Sequence, residues 1–369
     1  MSALSRLTAA EIARWRLYSQ RLVGSTWLSA DDVVGGLLAV QAENYSQAGW
    51  AIACRCAVER QVTFDRAFDE GRFLRTHVIR PTWHFVLPDD IVWLIELTAP
   101  RIKGSFVRAQ QQMEGIDDDE RDRLVSSVIE AIDKTGPMTR ADVQTHLAES
   151  GLRSSGNAVT LALGIAESDA VVCSGPRRGG TQTYAMLADR APEARRLDRG
   201  DALAELALRY VAGHGPVTER DLAYWATLTL TDLRAGLASV SDQLDSFEND
   251  GRTYWILQGA EPPALPSAPE PTAHILQILD EMYRGYQESR MLLDEAGITP
   301  RERGASIGMA LIDGQIVAGM KRRMKSTSME IALEPFRPLT AAERAAFRAV
   351  AEDYGRYCDL EAILTIKQV

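Results

Sequence analysis

Apolar residues recur along this chain at helical spacing in short blocks, each opened by a capping residue and followed by two extended runs. Three of these blocks start alike. Leu28-Ser29-Ala30-Asp31-Asp32-Val33, Met138-Thr139-Arg140-Ala141-Asp142-Val143 and Val217-Thr218-Glu219-Arg220-Asp221-Leu222 all read apolar, Ser or Thr, two variable residues, Asp, apolar. A Gly-Pro precedes the last two, and its Pro137 and Pro216 lie 79 residues apart. Ser29, Thr139 and Thr218 are each placed to cap a helix, with an acid at the third helical position near the positive end of the dipole.

Helices followed by a hairpin, three times over, predict tandem winged helices, modules that most often handle nucleic acid. In the first unit Thr8 caps a helix through Gln20, with Ile12, Trp15 and Leu22 on its apolar side. Further helices are expected at 31–41, 47–58 and 64–71, then strands at 74–79 and 82–87, and Pro88-Asp89-Asp90 opens another helix. The second unit, from near Asp119, has capped helices at 139–149 and 155–168 and a hairpin that turns at Gly179-Gly180. Helices from Thr218 and Thr229 and strands near 243–247 and 253–257, around Asn249-Asp250-Gly251, make the third. The prolines between Pro262 and Pro271 mark a linker. Beyond it come strands at 306–311, 315–320 and 329–333, a helix at 340–357 and a closing strand at 361–366. The expectation is an α+β protein: three tandem winged-helix units at 1–120, 121–195 and 196–260, then a small C-terminal α+β domain at 270–369 with an antiparallel sheet.

Composition narrows this picture. The 369 residues are 46% hydrophobic and 25% charged, the balance of a globular protein with room for two to four domains. No run approaches the ~18 apolar residues of a membrane helix. Met1-Ser2-Ala3-Leu4-Ser5-Arg6-Leu7 lacks the pattern of a signal peptide, so a cytoplasmic location is expected. Cys54, Cys56, Cys173 and Cys358 offer no metal spacing and no disulfide framework, and reduced thiols are expected. The net charge of −10 argues against non-specific DNA binding through overall charge, unless basic residues gather on one face. Two clusters are candidates, Arg177-Arg178 and Lys321-Arg322-Arg323; plain solvated charge is the alternative for each.

Sequence-specific readout finds little support. The second helix of the second unit, Ser155 to Glu167, holds no Arg or Lys, and its counterpart in the third unit has only Arg234. Such helices look like packing elements. The polar group most out of place is Gln41-Ala42-Glu43, which follows the apolar run Val33 to Val40. Residues two apart diverge by ~200° on a helix but point the same way in an extended segment. Gln41 and Glu43 therefore converge only if the helix ends at about Gln41; a polar helix end is the other reading.

The run Gly36-Leu37-Leu38-Ala39-Val40-Gln41-Ala42-Glu43-Asn44-Tyr45, with Ala48-Gly49-Trp50-Ala51-Ile52 after it, resembles the amino-terminal signature of the bacterial AlkZ/YcaQ family. The likeness continues in Leu74 to His84, in Leu279-Asp280-Glu281-Met282-Tyr283-Arg284-Gly285-Tyr286, in Leu311 to Val317 and in Glu334 to Thr340. That resemblance implies a DNA glycosylase built of tandem winged helices. The family's catalytic Gln-x-Gln or Gln-x-Asp motif falls on Gln41 and Glu43, and Glu in the second place departs from the usual pattern.

The implied chemistry suits these residues. Alkylation at N7 of guanine gives the base a positive charge and makes it a good leaving group. Glu43 is expected to stabilise the oxocarbenium-like sugar and to orient or deprotonate water, and Gln41 to position water or sugar. Trp83 and His84 on the first hairpin are candidates for contact with DNA or the site, against a core-facing Trp and a hydrogen-bonded His. Arg177 and Arg178 at a wing tip, and Lys321, Arg322 and Arg323 after a strand, are candidates for phosphate contact. Asp280 and Glu281 lack a matching His or Cys cluster, so helix-surface or structural roles are preferred to metal binding. The expected partner is double-stranded DNA carrying alkylated bases, met by a monomer without metal or cofactor. A non-catalytic winged-helix DNA-binding or regulatory protein is the rival, and a scaffold that no longer binds DNA a third reading.

Overall fold

The computed structural model describes residues 7–57, 60–264, 270–300 and 308–368. Helix α1 (Ala9–Ser19) starts in a capping box: Thr8 accepts the Glu11 amide, and Glu11 accepts the Thr8 amide. Ser29 caps α2 (Ala30–Leu37) by accepting the Asp32 amide. This helix ends four residues before Gln41, shorter than the expected 31–41, because Leu38 adopts φ 66° and turns the chain into an extended segment. There follow β1 (Val40–Gln41), α3 (Tyr45–Ala53), α4 (Gln61–Asp69), β2 (Leu74–His77) and β3 (Trp83–Val86). The sheet order is β1-β3-β2, antiparallel throughout.

A long helix, α5 (Pro88–Glu114), leads away from this unit with Pro88 at its start. Then the same order returns: α6 (Asp118–Thr135), β4 (Met138–Thr139), α7 (Arg140–Glu149), α8 (Gly156–Ser168), β5 (Val172–Arg178) and β6 (Thr181–Met186), with sheet order β4-β6-β5. A short helix α9 (Leu187–Arg190) precedes the third round: α10 (Arg199–His214), α11 (Glu219–Ala226), α12 (Leu230–Ser239), β7 (Leu244–Asn249) and β8 (Arg252–Leu257). Here Val217 bridges to Trp255 where the other units place their first strand. Thr139 and Thr218 both form capping boxes, with Asp142 and Asp221. The hairpin between β7 and β8 turns on Asp250 and Gly251, both at positive φ, as a two-residue turn demands.

The last region contains β9 (Ala273–Leu276), α13 (Glu281–Arg284), β10 (Gly308–Ile312), β11 (Gln315–Met324), β12 (Ser328–Pro335), α14 (Ala341–Cys358) and β13 (Glu361–Ile366). Its five strands run β13-β12-β11-β10-β9. The sheet is not antiparallel throughout, which corrects the expectation: α14 crosses over between β12 and β13, so those two pair in parallel. Strand β9 was not expected and forms the far edge. The first two residues of the expected 306–311 strand, the core of the linker (265–269), most of the amino-terminal stretch (1–6) and Val58 lie outside the described residues.

Packing ties these regions together. One core joins Ile91, Trp93 and Leu94 of α5 to Leu206, Tyr210, Trp225 and Leu233 of the third unit. A second joins Val33, Phe64, Phe68 and Phe85 of the first unit to Ile331, Phe347 and Tyr354 of the last region. Trp50 stacks on Tyr354 at 4.0 Å between centroids and donates its indole N–H to Ile275 O at 2.8 Å. The first unit is thus held between the third unit and the five-stranded sheet. Helix α10 crosses α2 so closely that a Cβ on Gly213 would stand 2.5 Å from Gly36 O.

Candidate active site

The positive-φ turn at Leu38 is what makes a site of Gln41-Ala42-Glu43. Extended backbone puts residues two apart on one side, and Ala42 between them is fully buried in the opposite direction. Gln41 and Glu43 line one cleft of about 640 Å³ together with Arg80, Pro81, Thr82, Arg101, Ala223, Tyr224, Thr227, Leu228, Leu279 and Arg284. The first unit supplies one wall, and α11 with the residues after it supplies the facing wall.

Both motif side chains are held by contacts far away in sequence. Glu43 Oε1 accepts the Trp83 amide at 2.8 Å, while its other oxygen has no protein partner among the described residues. Arg80 Nη2 donates to Gln41 Oε1 at 3.2 Å and lies 3.1 Å from His84 Nε2. A guanidinium has no acceptor, so His84 Nε2 accepts and His84 Nδ1–H donates to Thr82 O at 3.0 Å. Burial, then the charge of Arg80, push the His84 pKa down to about 3 and keep the ring neutral. Arg80 itself follows Ile79, a buried β-branched residue at φ 67° whose amide is caught by Thr98 Oγ1 at 3.3 Å. That backbone geometry is disfavoured for isoleucine and aims the next side chain into the cleft.

Glu281 is the anchor beneath them. Its Oε1 accepts the Gln41 amide at 3.2 Å and lies 3.6 Å from Arg80 Nη2. Its Oε2 accepts the Trp225 indole N–H at 2.9 Å and faces His214 Nε2 at 3.4 Å. Burial works to raise its pKa, but the His214 hydrogen bond and the charge of Arg80 lead the contacts that outweigh it and bring it down to about 2. One buried carboxylate therefore links β1, the Arg80 turn, α10 and α11. Neighbouring Asp280 caps α13 and holds Arg55 through both oxygens, at 2.8 and 3.0 Å. Neither acid lies on a helix surface, the alternative considered from sequence; both are structural. No group of three or more His, Cys, Asp or Glu residues suited to a metal occurs among the described residues.

The remaining candidates do not gather at this cleft. His84 is fully buried and has no surface to offer DNA, so its assignment to DNA contact is corrected: it steadies Arg80. Trp83 turns to the second unit, with its indole N–H on Glu167 at 3.3 Å and its ring against His77 and the Arg75 guanidinium. Glu167 also meets His77, so the first hairpin packs against α8 through polar contacts. Arg177 is not free at a wing tip. It lies 12% exposed between Asp65 and Asp69, at 3.0 and 2.8 Å, and these carboxylates neutralise it for phosphate contact. Arg178 is exposed, paired with Asp142. On β11, Lys321 pairs with Glu334 and Arg322 meets the Tyr354 hydroxyl, while Arg323 is exposed.

Residues that sequence reasoning missed are Arg80, Arg101, Tyr224 and Arg284 in the cleft. Tyr224 is ringed by cations, with Arg80 and Arg290 at 5.8 and 5.5 Å from its centroid. Burial raises its hydroxyl pKa, but a hydrogen bond with Arg284 and the nearby charges of Arg80 and Arg290 leave it lowered overall.

Comparison with known proteins bears on the family and the fold. The family described as DNA glycosylase AlkZ-like matches residues 34–357, which include the motif, the Arg80 turn and Glu281. A curated relative, the interstrand DNA cross-link repair glycosylase of Streptomyces sahachiroi, is 26% identical over 311 residues, 80% of this chain and 81% of that protein. The solved structure of the Streptomyces sahachiroi DNA glycosylase AlkZ superposes with a TM-score of 0.75 at 21% identity, covering 98% of this chain and 100% of that one, and shares its fold. No helix among the described residues is long and apolar enough to cross a membrane. This chain belongs to the AlkZ-like DNA glycosylase family.

Proposed function

We propose that the protein is a monofunctional, monomeric DNA glycosylase that hydrolyses the N-glycosidic bond of N7- or N3-alkylated purines in duplex DNA, with bulky adducts and crosslinks in its range. The observation that carries this reading is the free edge of Glu43 beside the amide of Gln41 in a cleft that Arg80, Arg101 and Arg284 also line. The name of the Streptomyces relative, an interstrand cross-link repair glycosylase, favours crosslinks within that range.

In this mechanism the cationic base departs with the bonding electrons and becomes neutral, so no strong general acid is required. Positive charge grows on the deoxyribose, and the Glu43 carboxylate stabilises it. The unpartnered carboxylate oxygen then takes a proton from the attacking water, while the Gln41 NH₂ group, free because Arg80 occupies the oxygen, positions water or sugar. No lysine lines the cleft among the described residues, which favours hydrolysis over strand nicking through a covalent imine.

We read the three helix–hairpin units, at 1–120, 121–195 and 196–260, as winged helices, with 270–369 as a separate α+β domain. Base excision repair, or self-resistance in a cell that makes a DNA-alkylating compound, is the setting this chemistry suits, in the cytoplasm. The test is incubation with duplexes carrying N7-methylguanine, a bulky N7 adduct or an N7–N7 interstrand crosslink, followed by heating in alkali. Strand breaks at the lesion are expected for at least one duplex. Absence of breaks from all three removes the enzyme and leaves a DNA-binding protein.

A further inference from the structure

The cleft contains more positive charge than its own carboxylates answer. Glu281 is already engaged by Arg80, His214 and Trp225 in the buried layer beneath. Among the described residues, Arg284 reaches the cleft with its Nε buried and without a hydrogen-bond partner, and Arg80 Nε, on a residue 8% exposed, is likewise unpartnered. Arg101, exposed on α5, has no ion pair among the described residues. Arg290 is held by the carbonyls of Tyr283 and Tyr286, so it brings charge without a carboxylate. Arg80, Arg284 and Arg290 surround the Tyr224 ring and Arg101 lines the same cleft, and these guanidinium groups repel one another in a partly desolvated setting. An anion would relieve that repulsion and satisfy the orphaned N–H groups.

The nature of the anion follows from the walls. Glu43 stands in the same cleft, so a carboxylate-bearing small molecule would bring further negative charge beside it without using the apolar lining of Ala223, Leu228 and Leu279. A phosphodiester spaced by a sugar from the scissile bond meets arginine on one side and leaves the sugar on the motif. Resting on the glycosylase reading, we infer that Arg101 and Arg284, backed by Arg80 and Tyr224, form a subsite for one backbone phosphodiester of the lesion strand, next to the sugar that meets Gln41 and Glu43.

The test reads binding, so it stands apart from excision. Full-length protein is titrated with a ~20-bp duplex carrying a tetrahydrofuran abasic-site analogue over a range of salt concentrations. Arg101→Gln and Arg284→Gln are each expected to weaken binding roughly 10-fold and to reduce the slope of log K against log salt by about 1. Arg234→Gln, on α12 and paired with Glu219, keeps the wild-type slope. In a second arm, single uncharged methylphosphonates are placed in turn on either side of the analogue. One position is expected to weaken wild-type binding and to have no further effect in Arg284→Gln. Wild-type slopes in both arginine variants, or no methylphosphonate position masked by Arg284→Gln, overturn the subsite. Absence of excision by the wild-type protein with these binding effects intact overturns the catalytic reading alone.

Discussion

Arg80 donates to the side-chain oxygen of Gln41 at 3.2 Å, and that contact decides which end of the amide meets the cleft. Replacing Gln41 by Ala removes the positioned NH₂ but leaves Glu43 in place on the Trp83 amide. Single-turnover excision is expected to fall roughly 10²-fold with affinity for the abasic-analogue duplex little changed. A loss seen only in affinity would assign Gln41 to binding.

Glu281 is expected to matter most for stability. Glu281→Ala leaves Arg80 buried without its carboxylate and strands the Trp225 indole N–H. Breaking a buried pair from one side costs about 3–5 kcal/mol, to be read as a lower denaturant midpoint. An unchanged midpoint would show that water replaces the carboxylate.

Acid should unfold the protein early. His84 takes a proton near 6.5 when unfolded but only near 3 when native, so protonation favours the unfolded chain throughout that window. Glu281 adds to the loss as pH falls from its ordinary 4.5 towards about 2, because its native carboxyl resists protonation. Both effects have the same sign: stability drops as pH is lowered from 6.5. Denaturant midpoints at pH 7, 5.5 and 4.5 measure the decline, and His84→Gln should flatten its upper part.

The crossing of α10 and α2 has no room for a side chain. The atom that a Cβ on Gly213 would strike is backbone, Gly36 O, which cannot rotate away. Gly213→Ala is expected to destabilise by about 1–3 kcal/mol, whereas Gly156→Ala, with nothing within 4 Å, should be neutral or mildly stabilising. Calorimetric melting of the two variants separates these outcomes.

What could be read from sequence was local. Ser29, Thr139 and Thr218 bond to the amides of acids three residues on, so each start carries its own signal. Gln41 and Glu43 stood out as polar groups after an apolar run, but their convergence depended on a positive φ at Leu38, a position with no glycine to announce it. Arg80 and Glu281 meet Gln41 from 39 and 240 residues away, and neither has a spacing that marks it. Asp280-Glu281 between Leu279 and Met282 was a clue, since paired acids beside apolar residues require buried partners. Arg177 misled for the opposite reason: its neutralising Asp65 and Asp69 lie more than a hundred residues earlier. The parallel β13 was hidden because a strand's direction depends on the helix that carries the chain back.

The most direct measurement is single-turnover excision of an N7-alkylguanine from duplex DNA by wild-type protein and by Glu43→Gln, which keeps an acceptor for the Trp83 amide but removes the charge. The account predicts a loss of at least roughly 10²-fold in rate with DNA affinity preserved. Excision by Glu43→Gln at the wild-type rate would contradict it and place the chemistry elsewhere.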